Sequence, residues 1–327
     1  MKTEAGISLS EIYEPIQSPI KKVEQEVQSI WEEALNLVEI DPATAPKAKG
    51  KLLRPAVCLL CAGAIGKEDL DSFVYLGTSF ELLHLASLTH DDVIDRAILR
   101  RGGQSLNTLW DNHAAVLGGD YLVARAIELL GSYKNYEIIL HSVRCVREMA
   151  EGELKFFAKP IESFSIEDCT ELARNKTAML FARSASSPAF INNLPEKDAL
   201  FSFGENIGIA FQFIDDLLDL TQDTTILGKP RYSDITEQKV TLPILLLWDN
   251  LNTDEKRFFK DIFGKTLSLE EQCWIQNMLE KYKIEKSVLD YAERLGVTAI
   301  DQIKELPETK FKKSLIKLCK FIIYRQN

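Results

Sequence analysis

Apolar residues recur at helical spacing along almost the entire chain. The spacing is clearest in two series, which run through Ile30, Ala34, Leu35 and Val38 and through Leu76, Phe80, Leu83 and Leu88. Such spacing places apolar side chains on one face of a helix. The alternation of apolar and polar positions that is typical of strands is absent between the turn signals. The pattern therefore predicts an all-α protein.

Proline, glycine and clustered polar residues interrupt this pattern at seven places: residues 41–50, 100–103, 158–165, 192–195, 223–234, 251–254 and 306–307. These breaks predict roughly ten to thirteen helices, the first over residues 8–40. No break is long or polar enough to separate two domains. Residues 1–327 are therefore expected to form a single helical bundle around a central cavity.

The composition narrows the class of protein. The chain has 327 residues, of which 46% are hydrophobic and 27% charged, as in ordinary globular proteins. Its formal net charge of −10 argues against nucleic acid as a partner, because phosphate backbones require clustered Lys and Arg. No segment has the length of apolar helix that spans a bilayer, and the first residues lack the features of a signal peptide. We expect a cytoplasmic protein.

The six cysteines are scattered through apolar stretches, which favours reduced thiols over a disulfide framework. Cys58 and Cys61 have CxxC spacing. No second pair or nearby histidine completes a zinc site, so two buried helix cysteines are the better interpretation.

Two copies of an acidic motif, DDxxD, occupy residues 91–95 and 215–219. On a helix, the first and last aspartates of each copy are four residues apart and share a face. Each copy ends a long apolar stretch, where several negative charges would be costly to bury without a cation. Because hard cations prefer oxygen ligands, the two motifs predict sites for divalent cations.

Basic residues lie near both acidic motifs along the chain: Lys51, Arg54, Arg100, Arg101, Lys176, Lys229 and Lys239. Lys and Arg bind phosphate oxygens, and metal ions bridge phosphates to carboxylates. This combination indicates a substrate with several phosphates. Two acidic sets suggest two diphosphates.

Four segments resemble motifs of the all-trans polyprenyl diphosphate synthase family: GKLLRP at residues 50–55, residues 84–102 with the first DDxxD, NKT at 175–177 and FQFIDDLLD at 211–219. The resemblance covers about residues 51–325. It is to the medium- and long-chain type of the family, such as octaprenyl diphosphate synthase. One departure is Lys49, where the family often has one of two glycines before the first lysine. The resemblance implies the isoprenoid synthase fold and a homodimer.

The resemblance also implies roles for individual residues. Asp91, Asp95 and Asp215 would hold about three Mg²⁺ ions on an allylic diphosphate, with Asp219, Asp92 and Asp216 completing or orienting the ligands. That diphosphate would also be bound by Arg100, Lys176, Lys229 and Lys239. Isopentenyl diphosphate would be bound by Lys51, Arg54, His84 and Arg101. Thr177 and Gln212 would face the developing allylic cation.

The implied activity is repeated head-to-tail condensation of isopentenyl diphosphate with an allylic primer, farnesyl or geranylgeranyl diphosphate. Metals and basic residues stabilise the departing diphosphate, and apolar walls exclude the water that would quench the carbocation. Ionisation, condensation and proton elimination then follow in order. A peripheral contact with membranes is expected for release of the lipid product.

Other functions fit the residues less well. A class I terpene cyclase shares one DDxxD, but its second metal motif mixes Asn or Asp with Ser or Thr and Glu. A non-catalytic subunit of a heteromeric synthase would lose motif aspartates, and all six are present. Glu81 and His84 have ExxH spacing, but a di-iron carboxylate site needs a second such pair.

Ala86 and Ser87 are expected to influence product length. At ~1.5 Å per helical residue they lie ~6–7.5 Å below the proposed metal ligands. An aromatic residue there stops growth at short products in the family. Two small residues at these positions leave room below the motif. In this respect the chain resembles family members that make products of about 30 to 50 carbons. Small residues also permit close helix packing, so a farnesyl or geranylgeranyl diphosphate synthase is the alternative.

Overall fold

The structure is a computed structural model that describes residues 6–39, 48, 50–95, 99–100, 103–104, 108, 111–157, 159–222 and 231–325. Fifteen α-helices lie within these ranges, numbered here in chain order. They are α1 (Leu9–Tyr13), α2 (Gln17–Leu37), α3 (Leu53–Ala64), α4 (Val74–Ile94), α5 (Asn112–Gly131), α6 (Tyr136–Phe156), α7 (Ile166–Ala173), α8 (Met179–Ile191), α9 (Lys197–Thr221), α10 (Ser233–Thr236), α11 (Leu242–Asn250), α12 (Thr253–Ile262), α13 (Leu269–Lys281), α14 (Ile284–Gln302) and α15 (Lys310–Tyr324).

The predicted all-α fold is confirmed, with two differences in detail. The described helices outnumber the expected ten to thirteen because α1 and α10 are only five and four residues long. A two-residue antiparallel hairpin, β1 (Leu99–Arg100) and β2 (Gly103–Gln104), follows α4. Strands of two residues are too short to produce an alternating pattern in the sequence.

The N-terminal helix predicted over residues 8–40 is interrupted. A 3₁₀ turn at Glu14–Ile16 separates α1 from α2, and α2 ends at Leu37. Pro15 lies within that turn, where it has no N–H to donate to an α-helical bond. The interruption therefore has a local cause.

The two helices that carry the DDxxD motifs, α4 and α9, lie in the interior of the bundle. Helix α4 contacts α2, α3, α5 and α8, and α9 contacts α8, α11, α14 and α15. Most residues of both helices are buried, as expected for helices that are apolar around most of their circumference. The two acidic motifs are thus held on well-packed elements.

Helix α9 approaches α8 closely because two of its residues are glycines. A Cβ atom at Gly204 would lie 2.6 Å from the Cα of Ala182, and one at Gly208 would lie 2.5 Å from the Cα of Ala178. Both distances are far below van der Waals contact. Glycine at these positions therefore permits the close approach of α9 to the start of α8, about two to three helical turns before the second motif.

None of the helices in the described ranges is long and apolar enough to cross a membrane. All six cysteines are unpaired, and five of them, including Cys58 and Cys61, are buried. The expected reduced thiols are therefore confirmed.

Candidate active site

The first motif lies at the carboxyl end of α4. Asp95 caps the carboxyl end of the helix, and its N–H donates to the carbonyl of Asp91 at 2.8 Å. Asp92 is buried, whereas the side chains of Asp91 and Asp95 are half-buried. Carboxylates at the negative end of the helix dipole are unfavourable unless cations neutralise them. Positive charge near this end of α4 would therefore stabilise the ionised carboxylates.

Lys176 supplies part of that charge from a π-helical turn, Arg174–Ala178, between α7 and α8. Its Nζ lies 2.8 Å from an oxygen of Glu153 on α6. Burial lowers the pKa of Lys176, but Asp91 and Glu153 raise it, and the net pKa is above the ordinary lysine value. The lysine is therefore charged and faces the first motif. Single π turns are frequent at functional sites.

Burial raises the pKa of the Asp91 carboxyl; Lys176 opposes this rise, and Asp95 and Glu153 add to it. Lys239 also opposes the rise, so burial is its main cause. A bound cation would favour the ionised form of this buried carboxyl group.

Thr177 and Gln212 form a chain of hydrogen bonds that leads to the second motif. The Thr177 hydroxyl donates to the Gln212 amide oxygen, and Gln212 Nε2 donates to Asp216 Oδ1 at 2.7 Å. Because Thr177 uses its proton toward Gln212, its oxygen lone pairs remain available to a developing cation. The chain joins the π turn to α9 and brings Thr177 and Gln212 together. That they face an allylic cation stays a prediction.

Asp219, the last aspartate of the second motif, is fully buried. It accepts hydrogen bonds from the Ser233 hydroxyl at 2.5 Å and from the backbone N–H of Asp234 at 3.2 Å. In this arrangement the Asp219 carboxylate anchors α10. Its role as a metal ligand stays a prediction.

Lys239 connects this anchored segment to the first motif. Its backbone N–H donates to the carbonyl of Asp234 at 2.8 Å, and its Nζ lies 2.9 Å from Asp95 and 2.7 Å from Glu237. Burial lowers the pKa of Lys239, but Asp95 and Glu237 raise it well above the ordinary value. The charged side chain of Lys239 therefore lies at the first motif, while its backbone is joined to the segment that Asp219 anchors.

The basic residues upstream occupy different environments. Lys51 is exposed, and its carbonyl accepts a hydrogen bond from the Tyr13 hydroxyl at 2.6 Å. Arg54 is buried, with its guanidinium 4.8 Å from the ring centre of Phe181. His84 is half-buried on α4. Arg101 and Lys229 lie outside the described residues, and of Arg100 only the strand backbone is described.

An apolar cavity of about 260 Å³ lies beneath the first motif, between α4, α5 and α6. Leu83, Val123, Ile127 and Val146 are among its lining residues. Leu83 precedes Asp91 by eight residues, slightly more than two helical turns, and so lies ~12 Å from it along the axis of α4. Ala86 is buried and Ser87 is half-buried between these levels.

The comparisons with known proteins agree with this geometry. The family model described as polyprenyl synthetase matches residues 42–281. This chain belongs to that family. The family predicted from the sequence motifs is therefore confirmed.

Individual members of the polyprenyl synthetase family resemble the chain over most of its length. An all-trans-nonaprenyl-diphosphate synthase (geranyl-diphosphate specific) of Rhodobacter capsulatus is 34% identical over 85% of this chain and 86% of its own. A geranylgeranyl diphosphate synthase of Methanosarcina mazei is 32% identical over 85% of this chain and 87% of its own. A polyprenyl synthase of Caulobacter crescentus, solved with calcium and isoprenyl diphosphate, has a TM-score of 0.89 and 27% identity, covering 98% of both chains.

The donor groups of this polyprenyl synthetase fit a hard divalent cation that is shared with a substrate. Within the described ranges, no three acidic, histidine or cysteine side chains converge to hold a metal by themselves. Mg²⁺, however, is usually bound by one or two carboxylates together with substrate phosphates. The carboxylates of Asp91 and Asp95, with the cationic Lys176 and Lys239 beside them, suit such a shared site. The partly exposed carboxylate of Asp215 is a further donor on α9.

The sequence motifs did not reveal a buried network beside the site. Arg183 on α8 donates through Nη2 to both oxygens of Glu148 on α6, at 2.8 and 2.6 Å. Its Nη1 lies 3.2 Å from Nδ1 of His141, whose ring stacks on Phe190. This network fixes α6 against α8. No local pattern marks the network, because its members come from two helices.

His141 should make the fold sensitive to acid. Burial, followed by the Arg183 charge, lowers the pKa of His141 to about 3. The unfolded chain binds a proton below the ordinary histidine pKa, whereas the folded protein does not, so stability falls as pH falls from neutrality toward about 3. His141→Asn should flatten this decline relative to wild type in urea titrations between pH 7 and pH 4. The same slope in both proteins would mean that His141 is not the group responsible.

Proposed function

We propose that this polyprenyl synthetase extends an allylic diphosphate by repeated head-to-tail condensation with isopentenyl diphosphate. The observation that carries the proposal is the placement of two charged lysines, Lys176 and Lys239, at the first DDxxD motif, with the backbone of Lys239 also joined to the segment that Asp219 anchors. Lys239 pairs with Asp95 and is tied through Asp234 to Asp219, while Lys176 lies beside Asp91. Such a site suits a substrate that carries dense negative charge.

The reaction breaks the bond between the allylic carbon and its diphosphate oxygen. The resulting carbocation is attacked by the double bond of isopentenyl diphosphate, which forms a new carbon–carbon bond. A proton then leaves the adjacent carbon for the released diphosphate and regenerates an allylic product. Lys176 and Lys239 stabilise the negative charge on the leaving group, and the Thr177 oxygen faces the cation.

Asp91, Asp95 and Asp215 are the proposed ligands of Mg²⁺, with about three ions expected. When bound, Mg²⁺ supplies positive charge to the departing diphosphate. Asp216 is held by Gln212 and Asp219 by Ser233, so these two aspartates support the geometry of the second motif. The calcium in the Caulobacter crescentus relative supports a divalent-cation site.

The second diphosphate, that of isopentenyl diphosphate, is proposed to bind near Lys51, Arg54, His84 and Arg101. Two observations support this division. Arg54 contacts Phe181 on α8, beside the Thr177 and Lys176 turn. Lys51 is exposed just before α3, so its side chain can reach a ligand from solvent.

Replacing Lys51 by alanine should raise the KM for isopentenyl diphosphate by about 10-fold or more, because a charged hydrogen bond is lost. The KM for the allylic primer should change little, since Lys51 is not among the groups at Asp91. Steady-state kinetics with each substrate varied in turn measure both values. Lys22→Ala is the matched control, because Lys22 is a surface lysine paired with Asp71 at 2.5 Å. Equal changes in both KM values would refute the two-subsite assignment.

The apolar cavity below Asp91 supports a medium- or long-chain product, and relatives with such names are among the similar proteins. A shorter product remains the alternative, because a geranylgeranyl diphosphate synthase from Methanosarcina mazei is also among the similar proteins.

Exposed apolar residues on α5 and α6, including Val116, Leu117 and Val143, support the proposed homodimer. Unpaired cysteines fit the proposed cytoplasmic location.

A release assay separates a synthase from a terpene cyclase. Diphosphate release is measured with Mg²⁺ and farnesyl diphosphate alone, isopentenyl diphosphate alone, and both together. We expect rapid release only with both substrates, because condensation consumes the two. Rapid release from the allylic diphosphate alone would identify a cyclase. Excess EDTA should stop the reaction, and activity that survives chelation would refute the metal-dependent mechanism.

A further inference from the structure

Arg325, at the end of the C-terminal helix α15, reaches the first aspartate of the second motif. Its Nη2 donates to Asp215 Oδ1, although 110 residues separate the two along the chain. The same nitrogen donates to the carbonyl of Phe211 at 3.0 Å, and Nη1 donates to the carbonyl of Ile322 at 3.3 Å. Three bonds thus fix the guanidinium on the inner side of Asp215.

The environments of the two partners differ. The Arg325 side chain is completely buried, whereas that of Asp215 is 44% exposed. Within the described residues, Asp215 is the one carboxylate within ion-pairing distance of Arg325. A buried guanidinium needs a partner that offsets its lost hydration. Arg325 therefore holds one oxygen of Asp215 from the inside and leaves the other available to the site.

Aromatic contacts continue from Arg325 toward Arg54. The Arg325 guanidinium lies 3.9 Å from the ring centre of Phe211, and the ring of Phe211 lies 5.4 Å from that of Phe181. Arg54 lies over the Phe181 ring at 4.8 Å. The Phe211 ring contacts the Arg325 guanidinium in addition to its hydrogen bonds. The ring of Phe211 therefore supports this arginine.

From these contacts we propose that Arg325 is a positioning residue for Asp215. It fixes the orientation of the carboxylate so that the free oxygen is directed to a divalent cation, and it thereby couples the C-terminus to cation binding. This inference rests on the proposed function, which makes Asp215 a metal ligand. Groups that orient metal ligands typically change metal affinity by about 10- to 100-fold when removed.

The sign of the effect distinguishes positioning from charge alone. Removal of a positive charge beside Asp215 would by itself tighten cation binding. Removal of the group that orients the carboxylate weakens it, because Asp215 then samples other rotamers. We expect Arg325→Met to weaken binding of Mn²⁺ in the presence of inorganic pyrophosphate by about 10-fold or more. Arg325→Lys should recover part of the loss.

The experiment measures Mn²⁺ binding by electron paramagnetic resonance in the purified full-length protein with pyrophosphate. Wild type, Arg325→Met, Arg325→Lys, Asp215→Asn and the Arg325→Met/Asp215→Asn double variant are compared. If Arg325 acts through Asp215, the double variant binds Mn²⁺ no more weakly than Asp215→Asn. Additive losses, or unchanged or tighter binding by Arg325→Met, would overturn the proposal.

Lys312→Met provides the matched control for damage to the C-terminal helix. Lys312 is also a buried cation on α15, but it bonds the carbonyls of Lys304 and Leu306 and the carboxylate of Glu308. This variant should melt at a lower temperature and keep the Mn²⁺ affinity of wild type. If Lys312→Met loses as much Mn²⁺ affinity as Arg325→Met, the effect of Arg325 comes from damage to α15 and not from the orientation of Asp215. Wild-type prenyl transfer is assayed separately, so failure of the proposed function is recognised independently.

Discussion

Asp91→Asn is expected to abolish turnover and, in EDTA, to raise the melting temperature. Loss of one electrostatic stabiliser at a reacting centre costs on the order of 10²–10³ in rate. Burial, with Asp95 and Glu153, raises the pKa of Asp91 against the opposing effect of Lys176. An acid with a raised folded-state pKa contributes stability at low pH and loses that contribution as pH rises through the folded pKa. Ionised Asp91 therefore destabilises the metal-free fold at neutral pH, and asparagine removes this cost.

Asp215→Asn provides the contrasting variant. It should also abolish turnover, but it should lower the melting temperature in EDTA because it leaves the buried Arg325 without a counter-ion. Scanning calorimetry in EDTA at pH 8 compares both variants with wild type. The advantage of Asp91→Asn should disappear at a pH below the ordinary aspartate pKa, where wild-type Asp91 is protonated. Near wild-type turnover of Asp91→Asn with Mg²⁺ would show that Asp91 is not a metal ligand. A melting temperature of Asp91→Asn below that of wild type in EDTA would show that the ionised Asp91 carboxylate does not destabilise the metal-free fold.

Ala86→Phe should replace long products with short ones. Ala86 is buried on α4 between Asp91 and the level of the cavity, ~7.5 Å below the motif. A phenyl ring there would block an extending chain after about one or two additions, whereas the diphosphate site is untouched. Consumption of the first isopentenyl unit should therefore persist. Chromatography of the dephosphorylated products, coupled to mass spectrometry, measures the length distribution.

Leu83→Phe tests the same path one turn lower. Leu83 lines the cavity itself, so a ring at this position should stop growth later than one at Ala86. Circular dichroism and the initial rate confirm that both variants fold, because an added ring can overpack a core. If both variants fold, turn over and make the wild-type product, the growing chain does not extend past α4 in this direction.

The helices and the aspartates of the site could be predicted because their signals are local. Helical periodicity identified α4 and α9, and the i, i+4 spacing placed Asp91 and Asp95 on the same end of one helix. The basic residues Lys176 and Lys239 were also predicted, and the structure brings both to the first motif. The periodicity and the aspartate spacing depend on residues close together in the sequence, whereas the roles of the two lysines came from the family resemblance.

Contacts between distant segments could not be predicted in this way. Arg325 reaches Asp215 only because α15 packs against α9. Glu153 pairs with Lys176 because α6 lies beside the π turn, and that turn has no sequence signature. Asp219 belongs to an acidic motif, yet its carboxylate is bound by Ser233 and Asp234. Repeated motifs indicated the chemistry of these groups, whereas tertiary packing decided which partners they have.

The product formed by the purified protein tests the central claim most directly. The protein is incubated with farnesyl diphosphate, isotopically labelled isopentenyl diphosphate and Mg²⁺, with a parallel sample in excess EDTA, and the products are identified by mass spectrometry. The account predicts linear polyprenyl diphosphates that grow by whole isoprene units to a medium or long chain, with none formed in EDTA. A cyclic hydrocarbon, or no product longer than the primer in the presence of Mg²⁺, would contradict it.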